Sequence, residues 1–529
     1  MRTIFFRDHE TGGVAGELAP AGLRLRADSG TRLAAGGTVL AGGSPVRVLR
    51  LTPAGARAVA GWFSGVPVAG GAAARTLARR LLDAGIAHPD WGAAGGGDGS
   101  PGVADVTVVI PVRDRHAELG RCLAGLRGLP HVTVVDDCSA DPGAIAAICA
   151  GHGARVVRRA VNGGPGAARN SGLAAASTAL VAFLDSDCVP RPGWLDRLLP
   201  HFGDPGVGAV APRIVPHEEG TTWLGRYEGA SSTLDMGSRP GIVRPGARVG
   251  YVPGAALVVR KAAAGAGFAA GMYVGEDVDF VWRMAAAGWR VRYEPAAVMG
   301  HDHRVRFRAW FARRRDYGTS AAALEELHPG VVRPLYTSWW TVGAWAAALS
   351  GRPGSAVTLT GTATALLARR LSRVTGERWP LPAASGAFDA AAGPATVQTA
   401  TAQVPSVSDN SKKRARIGAA WALAIRLAGG GTLAAGRPLG SALSRTWWPV
   451  AIPAAVAVPK LRLPVAALIL APPLLDWADR RPPLDPARYV TARLLDDAAY
   501  SLGVWQGCLS HHTIRPLLPV SGPTGGSSP

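Results

Sequence analysis

Residues 105–184 carry the pattern that most narrows the fold. Val106 to Val112 is an almost unbroken apolar run rich in β-branched residues. Such a run predicts a strand buried on both faces, as in a parallel sheet, rather than a half-exposed surface strand. A helix is predicted from His116, with Leu119, Cys122, Leu123 and Leu126 on one face. Val132 to Val135, Val156-Val157 and Leu180 to Leu184 read as further strands, separated by helical segments and a glycine-rich turn. Alternating β and α units of this length predict an α/β domain with a doubly wound, mainly parallel sheet. Sheets of this kind bind ligands beyond the carboxyl ends of their strands. Asp114, Asp136-Asp137 and the pair Asp185 and Asp187 each follow a predicted strand.

Those acids suggest chemistry. Leu184-Asp185-Ser186-Asp187 sends two carboxylates out of one buried strand in a chain with only 18% charged residues. Carboxylates held this close repel one another. Mg²⁺ or Mn²⁺, which takes oxygen ligands from one or two carboxylates plus substrate phosphates, removes that cost. The bland alternative is a pair of solvated turn residues. The carboxylates at Asp136-Asp137 could accept from the imide N–H of a pyrimidine base. Asn162 to Asn170 is a glycine-rich turn entering a helix, where the helix start and Arg169 favour phosphate; an ordinary helix-entry turn reads the same way. Glu276, Asp277 and Asp279 stand at a helix start, either as complements to its dipole or as a source of a general base. His301 either completes a metal site or belongs to an exposed polar turn.

Bulk composition excludes some classes. The chain has 529 residues, 48% of them hydrophobic, and a net charge of +20, so two or three domains are expected. The only lysines are Lys261, Lys412, Lys413 and Lys460. The arginines are spread along the chain without an aromatic-interleaved basic module, which argues against nucleic acid and for phosphate-bearing substrates or anionic lipid. Five irregularly spaced cysteines form neither a disulfide framework nor a zinc site. The beginning of the chain has no apolar stretch of signal-peptide length. A cytoplasmic setting is expected.

Around the central domain, 103–330, lie two other regions. Residues 1–95 read as a small winged-helix-like module, with strands at 38–40 and 46–51 and two helices, the first capped by Thr52 and opened by Pro53. Trp91 to Gly102 reads as a linker. Residues 331–380 and 413–520 read as helical, and 381–412 as a disordered insertion. The apolar runs Thr446 to Pro459 and Leu463 to Leu475 are broken by prolines and are short or marginal for a membrane span. Either they associate with the inner face of the cell membrane or they form a soluble helical domain.

Taken in order, Val109-Ile110-Pro111-Val112-Arg113-Asp114, Val135-Asp136-Asp137, Gly166 to Asn170, Asp185-x-Asp187, Glu276-Asp277 and His301 resemble the family 2 glycosyltransferases of the GT-A fold, a nucleotide-diphospho-sugar transferase fold. The resemblance covers about residues 103–330. It implies that Pro111, Arg113 and Asp137 line the base and ribose pocket, with Arg113 standing where the family often has tyrosine, and that Asp114 and Asp136 also belong to the nucleotide-sugar site. It implies that Arg169 and Asn170 hold the donor, and that Asp187, Asp185 and His301 serve the metal, with Asp185 also contacting the nucleotide. Asp277 would be the catalytic base, with Glu276 beside it, in a single displacement with inversion.

A narrower resemblance extends over most of the chain except the insertion. It rests on Gly42 to Pro45, Arg50 to Arg57, Gly225-Arg226-Tyr227-Glu228, Tyr251-Val252-Pro253, Gly288 to Pro295 and Arg313 to Ser320, and it is to the glycosyltransferases of the mycofactocin system. It implies UDP-glucose as donor and a peptide-derived redox cofactor as acceptor, extended as a β-1,4 glucan. It also implies a precursor peptide or pathway protein as partner of the N-terminal module. A membrane glycosyltransferase of envelope polysaccharide or glycolipid synthesis is the alternative.

Overall fold

A computed structural model describes residues 18–34, 37–92, 100–376, 421–422 and 424–521. The expected insertion at 381–412, the beginning of the chain and most of the expected linker lie outside the described residues. The chain divides into two compact units, Thr337–Gly436 and a larger one comprising Arg2–Tyr336 with Arg437–Pro529.

The larger unit opens with a small α/β module. Its elements are β1 (Arg24–Ala27), β2 (Arg32–Ala34), β3 (Val39–Gly42), β4 (Arg47–Arg50), α1 (Pro53–Phe63), α2 (Ala72–Asp83) and β5 (Ala87–Asp90). Strands β2, β3 and β4 form an antiparallel meander, and β1 pairs with β5. Helix α1 starts where the sequence predicts, because the Thr52 side chain accepts from Gly55 N–H and Pro53 needs no partner for a missing N–H. Leu25, Leu40, Val59, Trp62, Leu81 and Ile86 fill the module's own core. Charged pairs fasten it to the central domain. The buried Arg79 guanidinium meets Asp204 at 2.8 Å, and Arg290 meets Asp83 at 2.8 Å. Asp28 accepts from Arg239 and faces His88.

The central domain continues through β6 (Val106–Val112), α3 (His116–Ala124), β7 (Val132–Asp136), α4 (Pro142–Gly151), β8 (Arg155–Arg158), α5 (Gly164–Ala175), β9 (Leu180–Leu184) and β10 (Cys188–Pro190). It is completed by α6 (Trp194–Leu198), β11 (Val207–Pro216), α7 (Trp223–Ser231), β12 (Gly241–Val243), β13 (Ala256–Arg260), α8 (Glu276–Ala286), β14 (Arg290–His301) and α9 (Phe307–Leu327). The sheet runs β10-β14-β11-β13-β9-β6-β7-β8, with β12 also on β14. Strands β9, β6, β7 and β8 are parallel, as are β11 and β14. Strand β13 is antiparallel to both neighbours, and β10 and β12 are antiparallel to β14. Successive residues of β6 point to opposite faces. Val108 and Ile110 join one buried layer with Leu119 and Val134, while Val109 joins another with Phe183, Leu257 and Phe280. Helices cover both faces, so the strand has no polar side and its sequence shows no alternation.

Beyond residue 437 the larger unit is helical. The helix Pro486–Ser510 lies directly on α9. Gly318 of α9 faces Gly503 across the crossing, and Gly507 faces Thr319. A Cβ at any of these glycines would run into backbone of the other helix. Only residues without side chains let two helices approach this closely. The prolines expected to break the apolar run do not do so. Pro459–Arg480 is one helix with Pro464, Pro472 and Pro473 inside it, and its length and mean hydropathy of 1.4 suffice to cross a membrane. In the smaller unit, α10 (Trp339–Leu349) and α11 (Pro353–Gly376) stand in contact, and Trp345 donates to the Thr432 carbonyl.

Candidate active site

The carboxyl ends of β6, β7 and β9 open into a cleft of about 1070 Å³. Pro111, Arg113, Asp137, Arg169, Asp185, Asp187, Glu276, Asp277 and His301, all expected from sequence, line it. Asp114, Asp136 and Asn170 do not. The Asp114 carboxylate accepts from Ala140 N–H at the positive-φ turn after β6. Asp136 is buried, accepts from Ser139 N–H and faces Arg158. Asn170 bonds the backbone of Phe268 in both directions and so bolts α5 to the loop before α8.

Strand pairing assembles the rest. Strand β13 runs antiparallel beside β9, with Ala256 opposite Leu184, and Asp185 N–H donates to the Ala255 carbonyl. This register lays Gly254 beside the end of β9. Gly254 N–H donates to Asp277 Oδ2 at 2.7 Å, and Val278 N–H donates to Oδ1 at 2.8 Å. Strand β10 pairs with β14 so that Cys188 lies opposite His301. That places His301 Nε2 3.6 Å from Asp187 Oδ1.

The anion held at the start of α5 is a side chain of the protein. Gly163 and Gly164 N–H groups donate to Asp137, which also meets Arg159 Nε at 2.8 Å. Arg169 is buried between two carboxylates, with Nη2 2.6 Å from Asp185 and Nη1 2.8 Å from Glu276. Burial opposes its charge, but Asp185, Glu276 and Asp277 together outweigh burial and raise its pKa. For Glu276 the balance goes the other way. Burial first, and then the charge of Asp277, push it up to about 7 in spite of Arg169.

The residues fit a hard divalent cation. Asp187, Cys188 and His301 offer ligand atoms within 4.8 Å of one another, and Asp187 Oδ1 is buried with no hydrogen-bond partner. Burial raises the Asp187 pKa, but His301 and Arg115 prevail and hold it below the usual carboxylate range. Asp187 is thus ready to ligate as a carboxylate. Cys188 is not ready, because burial drives its thiol pKa far upward. One carboxylate and one imidazole leave most of a six-coordinate shell for substrate oxygens and water, as Mg²⁺ and Mn²⁺ require. Asp185 lies outside this group, turned toward Arg169.

The family model described as glycosyl transferase family 2 matches residues 107–265, from β6 to just past β13. A curated relative, the pre-mycofactocin glycosyltransferase of Mycobacterium tuberculosis (strain ATCC 25618 / H37Rv), is 38% identical over 511 residues, covering 94% of this chain and 98% of the relative. The chain belongs to glycosyltransferase family 2. It is similar to that pre-mycofactocin enzyme over nearly the whole length of both chains. The succinoglycan biosynthesis protein ExoU of Rhizobium meliloti (strain 1021) is 29% identical over 204 residues, covering 36% of this chain and 59% of the relative. Among solved structures, a Pyrobaculum calidifontis mannosyltransferase in complex with GDP-Man and Mn2+ aligns with TM-score 0.35 and 20% identity, over 52% of this chain and 79% of that one.

Several residues that shape the glycosyltransferase cleft carry no local signal. Arg115 pairs with Asp187 on the side away from His301. Gly254 must be glycine, since a Cβ there would lie 2.9 Å from Asp277 Cβ and 3.3 Å from Arg169 Cζ. Tyr251, Tyr317, Arg445 and Tyr500 also line the cleft. Two motifs of the narrower resemblance acquire a reason. Glu228 accepts from Trp310 and pairs with Arg314, which also reaches Asp496, while the Tyr227 hydroxyl donates to Asp496 at 2.9 Å. This buried network joins α7, α9 and the helix Pro486–Ser510.

Proposed function

We propose that this glycosyltransferase moves a hexose, glucose from UDP-glucose, onto a hydroxyl of a peptide-derived redox cofactor of the mycofactocin type, with inversion and with Mg²⁺ or Mn²⁺, and extends it as a β-1,4 glucan. The observation that carries the reading is the juxtaposition of two unlike carboxylate environments in one cleft. Asp187 has an unpartnered buried oxygen beside His301. Asp277 is held by two backbone N–H groups at the cleft wall. The first environment suits a metal-bound diphosphate, the second a base.

Asp187 and His301 would hold the cation, which supplies charge neutralisation for the departing diphosphate. Arg169 is fixed in place by its two carboxylates and adds a permanent positive charge nearby. Asp277 accepts the proton of the acceptor hydroxyl as its oxygen attacks the anomeric carbon. Pro111 and Arg113 line the part of the cleft that suits a base and ribose, and arginine can stack on a uracil ring. The N-terminal module, on this reading, binds the precursor peptide or a pathway protein. The apolar helix Pro459–Arg480 attaches the protein to the inner face of the membrane.

The acceptor rests on the relative's name and its near full-length match. Mass spectrometry of reactions containing a panel of sugar nucleotides and the candidate acceptor tests the whole reading. Successive hexose additions with UDP-glucose support it; transfer only from another nucleotide sugar, or only to lipid-linked acceptors, overturns it.

A further inference from the structure

The turn after β14 carries a second histidine, His303. His301 ends β14, and residues two apart along extended backbone fall on one side, so the His303 ring returns to it. The two rings are tilted at 47° with centroids 5.1 Å apart, and Nδ1 of one lies 3.2 Å from Nδ1 of the other. The turn is pinned where this contact forms. Asp302 N–H donates to the Asp187 carbonyl, the Asp302 carboxylate pairs with Arg121, and His217 N–H donates to the His301 carbonyl. The two nitrogens of His301 therefore look in different directions. Nε2 faces Asp187, and Nδ1 faces His303. His303 lines the cleft, and its own Nε2 is enclosed without a hydrogen-bond partner among the described residues.

We infer that His303 is a positioning residue that fixes the tautomer in which His301 ligates the cation. Only a ring nitrogen without a proton can give its lone pair to a metal. A neutral imidazole carries one such proton, so ligation through Nε2 of His301 puts it on Nδ1. That N–H needs an acceptor, and His303 Nδ1 stands opposite it. His303 then keeps its own proton on Nε2. Nothing on that side opposes this state, because among the described residues no donor engages the His303 Nε2 lone pair. The reverse arrangement, with the proton on His303 Nδ1, leaves His301 protonated at Nε2 and closed to the cation. A hydrogen bond at the far nitrogen of a ligating histidine also holds the ring in orientation and raises its basicity.

This inference rests on the cation reading of the site, and its test separates the two. The full-length protein with UDP is titrated with Mn²⁺, and free Mn²⁺ is followed by electron paramagnetic resonance, so that no transfer reaction is needed. His303→Phe keeps a ring of similar size and removes the acceptor. It is expected to raise the Mn²⁺ Kd by about tenfold to a hundredfold. His303→Asn gives up the ring but can set an oxygen where Nδ1 stood, and it stays within about threefold of wild type. A role in packing alone predicts the opposite order. His301→Ala, which removes the ligand itself, weakens binding at least as much as His303→Phe. Equal weakening by both His303 variants, or none by His303→Phe, overturns the positioning role, while a weakened His301→Ala leaves the cation reading standing. Wild-type binding in His301→Ala, or no binding by wild type, overturns the cation reading and the positioning role with it. Should His303→Phe unfold, His303→Leu against His303→Asn carries the same comparison.

Discussion

The Asp277 carboxylate receives the Gly254 N–H at 2.7 Å, and no other residue type could stand at 254 without displacing it. Gly254 ends the loop that strand β13 presses against the end of β9, so a sheet register helps to set the position of the Asp277 carboxylate. Gly254→Ala is expected to reduce kcat by about tenfold to a hundredfold while leaving nucleotide binding in place, the effect of misplacing a reacting group by a fraction of an ångström. Asp277→Asn, which keeps the shape and removes the base, should lower kcat by about 10² to 10⁴. Steady-state kinetics of both variants check this. A wild-type kcat in Asp277→Asn would remove Asp277 from the mechanism.

Metal dependence should follow Asp187. Its Oδ1 is buried, unpartnered and beside His301. Asp187→Asn is expected to raise the Mn²⁺ concentration for half-maximal rate by at least about tenfold, and His301→Ala to do so less severely. Rates measured against added Mn²⁺ after chelation give the answer. Identical activation curves for wild type and Asp187→Asn would mean that the cation binds elsewhere.

Glu276 predicts a pH dependence of stability. Its folded pKa is raised to about 7 by burial and by Asp277, above the 4.5 of an unfolded glutamate. A raised pKa means that the folded state favours the proton. The associated stabilisation is complete below about pH 4.5 and is lost as pH rises to about 7, a loss of up to about 3 kcal/mol. Glu276→Gln, which cannot ionise, should lack this slope between those pH values. Thermal melts of both proteins across that range provide the comparison, and parallel curves would contradict the assignment.

The N-terminal module should be energetically inseparable from the transferase. Arg79 and Asp204 form a buried pair across the junction. Arg79→Ala leaves the Asp204 carboxylate buried without its main cation, and loss of one partner of a buried pair costs about 3 to 5 kcal/mol. The expected result is a single cooperative melt at lower temperature. A two-step melt in which only the module unfolds early would show that the junction is weak.

The parts of this glycosyltransferase that can be read in the sequence are those fixed over a few neighbours. The run Val106–Val112, the cap at Thr52 and the acids at strand ends all satisfy local rules, so their positions are legible. Asp187 and His301 could each be singled out, yet their proximity follows from β10 lying on β14, which no local pattern encodes. Gly254, Arg115, Arg445 and Tyr500 gain their roles only through pairing of distant segments. Asp136, Asp114 and Asn170 illustrate the reverse. Each has the right chemistry next to the right strand or helix, but backbone groups nearby consume it. The prolines of Pro459–Arg480 mislead for a related reason. A proline's lost bond is tolerable where the helix packs on neighbours, and local propensity does not include that term.

The glycine seam between α9 and Pro486–Ser510 also fixes an order of assembly. Tyr317 leaves the ribosome long before Arg445 and Tyr500. A nascent chain that has folded its sheet therefore holds Arg169, Asp185 and Asp187 of the cleft before Arg445 and Tyr500 have joined it. The cleft gains these last two residues only when the last long helix sets Gly503 and Gly507 against α9, where Gly318 meets it.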